Sequence, residues 1–270
     1  MTEYPTSIGT SDATSISLLG RDLAGDLLGQ VGFGELAFWL VAMRRPEPGE
    51  LRVFEAVLVA LADHGFTPTA IAARLTLASA PESVQGALAA GLLGGGSRFL
   101  GVTEDAGRFL VDAIAAHRAR GEEPPTDDEG WDDVARDAVT AQHAAGHLVP
   151  GLGHPVHKLG DPRTPVLIRI AEEQGQRGEH LRLFEAVGRV HPEVLDRTLP
   201  LNGAGVCGAA LCDLGFGVEQ LRGFALLART AGLLGHIAEE MRRPIGMDVY
   251  RQVDRATDYR PPARSDSEGR

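Results

Sequence analysis

The residues best suited to chemistry lie in the segment Val149–Lys158, which reads V-P-G-L-G-H-P-V-H-K. Two glycines flank Leu152, so the backbone can turn sharply and present N–H groups to a phosphate or carbonyl oxygen. His154 follows at once, and Arg163 lies nine residues further on. A guanidinium can bind a carboxylate through two parallel hydrogen bonds, while an imidazole donates to an oxygen that gains charge. This pair suits a carboxylate with an adjacent carbonyl, although a tight interhelical turn with a surface histidine fits the same residues.

Three other positions could bind an anion or simply end a helix. His64 stands between Asp63 and Gly65, where it either caps a helix or aims a donor into a cleft. Arg229 interrupts an apolar helical stretch, and a buried arginine needs a partner or an anionic ligand. Arg243 precedes Pro244 and also fits a cation at the end of a helix.

Metal and nucleotide motifs are incomplete. His143 and His147 share one helix face, with His154 and His157 downstream, but Ala144 stands where a zincin has glutamate. The glycine-rich stretch 94–101 matches neither the dinucleotide nor the phosphate-loop fingerprint. We therefore predict no metal site and no permanently bound cofactor.

Composition narrows the class of protein. The chain has 270 residues and a net charge of −11, which argues against binding along a phosphate backbone of nucleic acid. Its apolar stretches are too interrupted for a membrane span, and residues 1–15 are polar rather than a secretory leader. Cys207 and Cys212 read as small core residues of a protein in a reducing compartment, so we predict a cytoplasmic location.

The elements that must position these residues are predicted to be helices. Apolar residues recur at helical spacing, whereas alternation typical of strands never runs for five residues. The fold class predicted is all-α. Helices are expected over 51–62, 67–78, 106–119, 133–143, 165–173, 180–190, 206–214 and 225–242, with an acidic, proline-containing linker at 121–133.

Six motifs occur in an order that resembles the citrate synthase superfamily, and most closely its citryl-CoA lyase branch, such as the lyase module of ATP-citrate lyase. The resemblance covers roughly residues 15 to 255, and ordered motifs together are more specific than any one of them. The motifs are A-D-H-G at 62–65, T-A-I-A-A-R at 69–74, G-L-L with R-F at 91–99, G-L-G-H at 151–154 with D-P-R at 161–163, L-A-R-T-A-G at 227–232 with G-H at 235–236, and R-P at 243–244.

The resemblance implies an all-α subunit with a large and a small helical domain and the active site in the cleft. The large domain would comprise 15–100 and 216–257, the small domain 101–215, with disordered tails at 1–14 and 258–270. It also implies a homodimer, in which the last arginine of the site reaches across to the other subunit.

Site residues follow from the same resemblance. The oxaloacetate-type substrate would be bound by two histidines and three arginines, and an acyl-CoA by the glycine loop. The first set falls on His64, His154, Arg163, Arg229 and Arg243, and the second on Val149, Pro150, Gly151, Leu152, Gly153 and Lys158.

Two positions depart from the family's pattern. Asn202 stands where the family has its aspartate base, and an amide is not a useful base. Phe99 falls on or beside the histidine that steadies the enol in synthases; lyase modules resemble this chain there but keep the aspartate.

Two functions follow, with His154, His64 and the residue at position 202 as the catalytic candidates. The first is an enzyme that makes or cleaves a C–C bond between an acyl-CoA of the acetyl-CoA type and a 2-oxo acid of the oxaloacetate type. The alternative is a catalytically impaired homologue that binds a dicarboxylate or a CoA ester as a sensor or interaction protein. An unrelated helical scaffold is a third reading, which the ordered motifs disfavour.

Overall fold

Eleven α-helices run through residues 3–262, the part of the chain that the computed structural model describes. The predicted all-α class is confirmed. The helices are α1 (Phe33–Ala42), α2 (Pro48–Ala62), α3 (Pro68–Ser79), α4 (Val84–Leu93), α5 (Val102–Ala119), α6 (Asp128–Ala144), α7 (Arg163–Glu173), α8 (Glu179–Leu195), α9 (Gly203–Asp213), α10 (Val218–Arg242) and α11 (Gly246–Arg255).

A small antiparallel sheet precedes the helices. Its first strand lies in the predicted tail 1–14 and the other two lie at the start of the predicted large domain, and no strand was predicted in either. The sheet comprises β1 (Gly9–Ser11), β2 (Ile16–Leu18) and β3 (Arg21–Asp22). Leu19 and Gly20 both have positive φ, the geometry of a two-residue turn that matches strand twist. Strands of two or three residues are too short for an alternating pattern, so their sequence gives no strand signal.

The chain divides into two compact units. Unit 1 comprises Met1–Asp63 with Gly95–Arg229, and unit 2 comprises His64–Gly94 with Thr230–Arg270. These bounds differ from the predicted domains, since the helical pair α3–α4 and the second half of α10 separate from the rest. Residues 1–2 and 263–270, which belong to the two predicted tails, lie outside the described residues.

An aromatic cluster holds α1, α2 and α10 together in unit 1. The Phe216 ring lies 4.9 Å from that of Phe38 and 4.5 Å from that of Phe224, and Phe224 lies 5.1 Å from Phe54. Edge-to-face ring pairs add about 0.5–1.5 kcal/mol each beyond the apolar area that they bury. The cluster fixes α2, whose last turn carries part of the candidate site.

Helix α9 lies at the centre of unit 1 and packs closely because its residues are small. A Cβ on Gly208 would lie 2.3 Å from the carbonyl oxygen of Thr103 in α5, so only glycine fits there. Cys207 and Cys212 are both free and buried. Burial raises the pKa of each thiol to about 12, which agrees with the predicted role as small core residues.

Unit 2 has a core of its own, formed by α3, α4 and the second half of α10. Its buried apolar residues are Ala70, Ala73, Leu77, Ala87, Leu233 and Ile237. Thr67 caps α3 and Pro68 occupies its first turn. Within the described chain, every helix is too short or too polar to cross a lipid bilayer.

Candidate functional site

Arg163 begins α7 and is held by the carboxylate of Asp161 two residues before it. Nε donates to Oδ1 at 3.0 Å and Nη2 to Oδ2 at 2.7 Å, a two-point contact that fixes the plane of the guanidinium. Burial alone would raise the pKa of Asp161, but hydrogen bonds from Arg163 and from the N–H of Gly203 outweigh it and hold the pKa well below its usual range. Asp161 is therefore a charged residue fixed inside unit 1, and it orients the predicted substrate arginine.

Arg163 and Arg229 meet at the carboxyl end of α2. Nη1 of Arg163 donates to the carbonyl oxygen of Ala60 at 3.0 Å, and Arg229 donates to the next carbonyl, that of Leu61, at 3.2 and 3.3 Å. Arg229 is buried. Burial lowers the pKa of Arg229, the charge of Asp63 partly offsets this, and the nearby Arg163 adds to it. An anion bound beside the two guanidiniums would compensate for the burial of Arg229 and for its repulsion from Arg163.

The glycine loop is tied to the segment that precedes α9. Leu152 and Leu201 form an isolated antiparallel bridge. The N–H of Gly153 donates to the carbonyl of Pro200 at 2.7 Å, and the N–H of Asn202 donates to that of Gly151 at 2.9 Å. These contacts fix the backbones of the two segments relative to each other, although the segments are 49 residues apart in sequence.

The two segments also meet without side chains between them. Gly151 has φ +86°, which a residue with a Cβ adopts only under strain. A Cβ on Gly205 would lie 2.7 Å from the Cα of Gly151, and one on Gly151 would lie 2.6 Å from Cε2 of Phe184. Glycine at both positions is what lets the loop rest on α9.

His154 follows this loop and has a defined orientation. Its Nδ1 accepts hydrogen bonds from the N–H of Val156 at 3.1 Å and from that of His157 at 2.9 Å. A neutral imidazole with Nδ1 as acceptor carries its proton on Nε2. The His157 ring lies 4.5 Å from the His154 ring at an interplanar angle of 32°, which restricts rotation further. His154 is thus prepared to donate a hydrogen bond through Nε2.

Asn202 is the N-cap of α9, and its side chain is buried. Its Oδ1 accepts from the N–H of Gly205 at 2.8 Å, and its Nδ2 donates to the carbonyl oxygen of Gly153 at 2.9 Å. The residue is 7% exposed. Both ends of the amide therefore maintain the contact between the loop and α9. This contact explains in structural terms why an asparagine can stand where the family has an aspartate.

Asp213, at the end of α9, does not replace the missing carboxylate. Its oxygens accept from the backbone N–H groups of Gly178, His180 and Leu181 and from the ring of His180, all at 2.9–3.0 Å. This carboxylate caps the N-terminus of α8, a structural role.

A cavity of about 350 Å³ lies beside the first half of the glycine loop. Its walls are partly apolar, from leucines and Val149, and partly basic. The lining residues are His143, Gly146, His147, Leu148, Val149, Leu152, Leu195, Arg197 and Leu199. His143 and His147, considered above as metal ligands, thus line a space with Arg197, a residue that the sequence analysis did not select.

The remaining predicted site residues lie in several parts of the chain. Lys158 and Phe99 are exposed, and Pro150 lines a second groove between α5 and α6. His64 and Arg243 belong to unit 2, where His64 precedes α3 and Arg243 follows α10 with an exposed side chain. Asp161 is another residue that the sequence analysis did not select: the tripeptide D-P-R was noted, but only its arginine was given a role. The available signal was a carboxylate two residues before a candidate substrate arginine.

Comparison with known proteins defines the class of this helical chain. The family described as citrate synthase, C-terminal domain, matches residues 22–251. The chain therefore belongs to the citrate synthase family.

Individual relatives are distant and mostly longer. A probable ATP-citrate synthase from Caenorhabditis elegans is 24% identical over 90% of this chain and 22% of its own length. A citrate synthase from Deinococcus radiodurans is 26% identical over 82% of this chain and 55% of its own length. The chain thus spans less than two thirds of either of these curated relatives.

Two solved structures share the fold. Citryl-CoA lyase from Hydrogenobacter thermophilus aligns over 98% of both chains with a TM-score of 0.82 and 29% identity. ATP citrate lyase from Methanothrix soehngenii, in complex with citrate and coenzyme A, aligns over 100% of this chain and 44% of its own with a TM-score of 0.76 and 22% identity. The first has the same extent as this chain, and the second supports the fold.

Proposed function

We propose that this protein makes or cleaves a C–C bond between an acyl-CoA and a 2-oxo dicarboxylate of the oxaloacetate type. The observation that carries the proposal is the pair of guanidiniums on consecutive carbonyls of α2, Arg163 on Ala60 and Arg229 on Leu61. Two cations at one helix end, one of them oriented by the carboxylate of Asp161, are arranged for an anion.

The number of guanidiniums suits a dicarboxylate, because each can bind one carboxylate. Asp161 offsets the charge of Arg163, while the pKa of Arg229 is lowered by burial. In the proposal Arg163 and Arg229 bind the two ends of the substrate, and Arg243 and His64 complete its recognition. The two-point fork of arginine gives each carboxylate a fixed orientation.

His154 supplies the hydrogen bond to the reacting oxygen. With its proton on Nε2, it donates to the 2-oxo group and stabilises the charge that this oxygen gains as the new bond forms. In cleavage the same Nε2–H would stabilise the same oxyanion, so the orientation of His154 serves both directions of the reaction.

The acyl-CoA is proposed to lie along Val149, Pro150, Gly151, Leu152 and Gly153, with Lys158 near its charged portion. The adjoining cavity supports this assignment, because apolar walls with two histidines and Arg197 suit a nucleotide that carries phosphate. The Methanothrix soehngenii ATP citrate lyase, whose fold is similar, was solved with citrate and coenzyme A.

The test is turnover by the purified protein in both directions. Acetyl-CoA plus oxaloacetate, and separately citryl-CoA, are supplied, and the consumption or formation of acetyl-CoA is followed. We expect activity that falls about 10²-fold or more when His154 is replaced by alanine, because the donor to the oxyanion is lost. Turnover no higher in the wild-type than in His154→Ala would contradict the proposed reaction.

A second candidate function is a binding protein for a dicarboxylate or a CoA ester. The observation in its favour is Asn202, whose amide is engaged at both ends where the family has a base. Calorimetry with citrate, oxaloacetate and coenzyme A distinguishes the two. Binding without turnover supports the second function, and no binding of any ligand eliminates both.

A homodimer and a cytoplasmic location complete the proposal. Light scattering coupled to size exclusion tests the first: a mass of twice 28.6 kDa is expected. A monomer at micromolar concentration would remove the expectation that Arg243 acts across a dimer.

A further inference from the structure

A buried ion pair connects α3 to the end of α10 in unit 2. Arg74 is 2% exposed, and its Nε donates to Oε2 of Glu240, itself 3% exposed, at 2.7 Å. Nη1 of Arg74 donates to Glu239 at 2.9 Å, and the guanidinium lies 5.0 Å from the centre of the Phe66 ring. A guanidinium buried in this way needs such compensation for its lost hydration.

The same two side chains also hold the backbone that follows α10. Nη2 of Arg74 donates to the carbonyl oxygen of Arg243 at 3.2 Å. Oε1 of Glu240 accepts from the N–H of Ile245 at 2.9 Å and from that of Gly246 at 2.7 Å, where α11 begins. Three hydrogen bonds from two buried side chains therefore fix the main chain from Arg243 to Gly246.

Packing restricts this segment further. A Cβ on Gly246 would lie 2.6 Å from the Cβ of Ala78 and 3.1 Å from the carbonyl oxygen of Arg74. The backbone is pressed against α3 at this point, while the side chain of Arg243 is exposed. An exposed guanidinium thus projects from a backbone that is held from two sides.

We propose that Arg74 and Glu240 are positioning residues for Arg243, and that they set the affinity for the 2-oxo dicarboxylate by fixing the backbone from which Arg243 projects. This inference rests on the proposed function, in which Arg243 binds a substrate carboxylate. A displacement of about 1 Å at a binding group can reduce activity about 10²-fold. A change in Arg74 or Glu240 can therefore weaken substrate binding by displacing Arg243, although neither residue contacts the substrate in this proposal.

The experiment compares Arg74→Lys and Glu240→Gln with the matched control Glu239→Gln. Glu239 contacts the same guanidinium at 2.9 Å, but its carboxylate has no described contact with the backbone from Arg243 to Gly246. Lysine cannot reproduce the three-way contact of Arg74, and glutamine at 240 keeps size but loses charge. Initial rates with oxaloacetate varied and acetyl-CoA saturating, and the reverse, give the two KM values, and calorimetry gives the Kd of oxaloacetate.

We expect the KM and Kd of oxaloacetate to rise about 10- to 100-fold in both variants, with the KM of acetyl-CoA within about twofold and the Glu239→Gln control unchanged. Hydrogen exchange at the amides of Ile245 and Gly246 should accelerate in Glu240→Gln. Because Glu240→Gln is nearly isosteric, it keeps the test open if Arg74→Lys does not fold.

Two results would overturn the positioning role. One is an unchanged KM for oxaloacetate in the folded variants, and the other is a parallel rise in the KM of both substrates, which indicates general destabilisation. In both cases the wild-type is active, so the proposed function survives. A wild-type protein that neither binds nor converts oxaloacetate removes the proposed function and this inference together.

Discussion

Arg163 in unit 1 and Arg243 in unit 2 are held in opposite ways. Arg163 has its guanidinium bound at two points by Asp161 and at a third by the carbonyl of Ala60. Arg243 has its main-chain carbonyl bound by Arg74, and Glu240 binds the N–H groups of Ile245 and Gly246 just after it, while the side chain of Arg243 is exposed. Arg163 is therefore fixed at its guanidinium, whereas Arg243 is fixed at its main chain.

The difference bears on what each residue can do for a ligand. A carboxylate partner orients the guanidinium of Arg163 but offsets part of its charge, so this residue contributes geometry more than attraction. Arg243 has no ion pair among the described residues, so it contributes attraction from a side chain whose placement depends on the main chain. The following predictions separate the two modes, beginning with the largest expected effect.

Loss of the carboxylate at position 161 should be the most damaging change. Asp161→Ala removes the partner of Arg163 and the acceptor for the N–H of Gly203, and it leaves a partly buried guanidinium uncompensated. We expect the free energy of unfolding to fall by about 3–5 kcal/mol, measured by urea denaturation. A loss below about 1 kcal/mol would mean that the guanidinium finds another partner, and the contrast with Arg243 would disappear.

Paired lysine substitutions should distinguish the two arginines directly. Arg163→Lys loses the two-point contact with Asp161, so we expect about 2–3 kcal/mol of stability and most of the activity to be lost. Arg243→Lys changes an exposed side chain, so its melting curve should match the wild-type within about 0.5 kcal/mol while the KM of the dicarboxylate rises. Equal losses of stability in both variants would contradict the comparison.

Restoring the family's carboxylate at position 202 should not restore a free base. Asn202→Asp keeps the N-cap acceptor but replaces the Nδ2 donor with an oxygen that faces the carbonyl of Gly153. We expect a loss of about 1–3 kcal/mol from this unsatisfied contact and no increase in turnover. A rise in turnover would instead identify the amide as the only obstacle to proton removal.

The smallest expected effect concerns pH. The pKa of Asp161 is below its usual range in the folded protein, so the unfolded chain takes up this proton first as the pH falls. The contribution of Asp161 to stability is then fully present above about pH 4 and decreases below it, toward the folded pKa. The difference in stability between wild-type and Asp161→Ala should therefore shrink between about pH 4 and about pH 2, by at most about 1.4 kcal/mol per pH unit. A constant difference would show that the pKa of Asp161 is the same in both states.

Apolar periodicity predicted most helices but not where they begin. It placed one helix at 133–143 and another at 225–242, whereas α6 begins at Asp128 and α10 at Val218. The first turn of α6 is acidic, with Asp127 as its cap, so it lies outside any apolar repeat although it suits the positive end of a helix. Residues 33–42 were not selected at all, yet they form α1 and contribute Phe38 to the aromatic cluster.

Candidate side chains were found where a motif is local and missed where it is not. The loop at 151–154 and the D-P-R at 161–163 are short enough to read directly, and the structure joins both to the segment before α9. Arg74 and Glu240 are 166 residues apart, and each alone resembles an ordinary helical charge. Their pairing depends on how α3 packs against α10, which no local pattern reports.

The contact between Gly151 and Gly205 has a consequence for anyone who wishes to redesign this protein. Since neither position admits even a methyl group, libraries that randomise them should yield mostly unfolded clones, and the backbone there is a constant of the scaffold. Diversity is better placed at Leu152, a partly buried residue between the two glycines of the loop, and at Arg197 and Leu199, which line the adjoining cavity. Variants with altered ligand preference should therefore be sought by changing side chains around the Gly151–Gly205 contact, with the two glycines left unchanged.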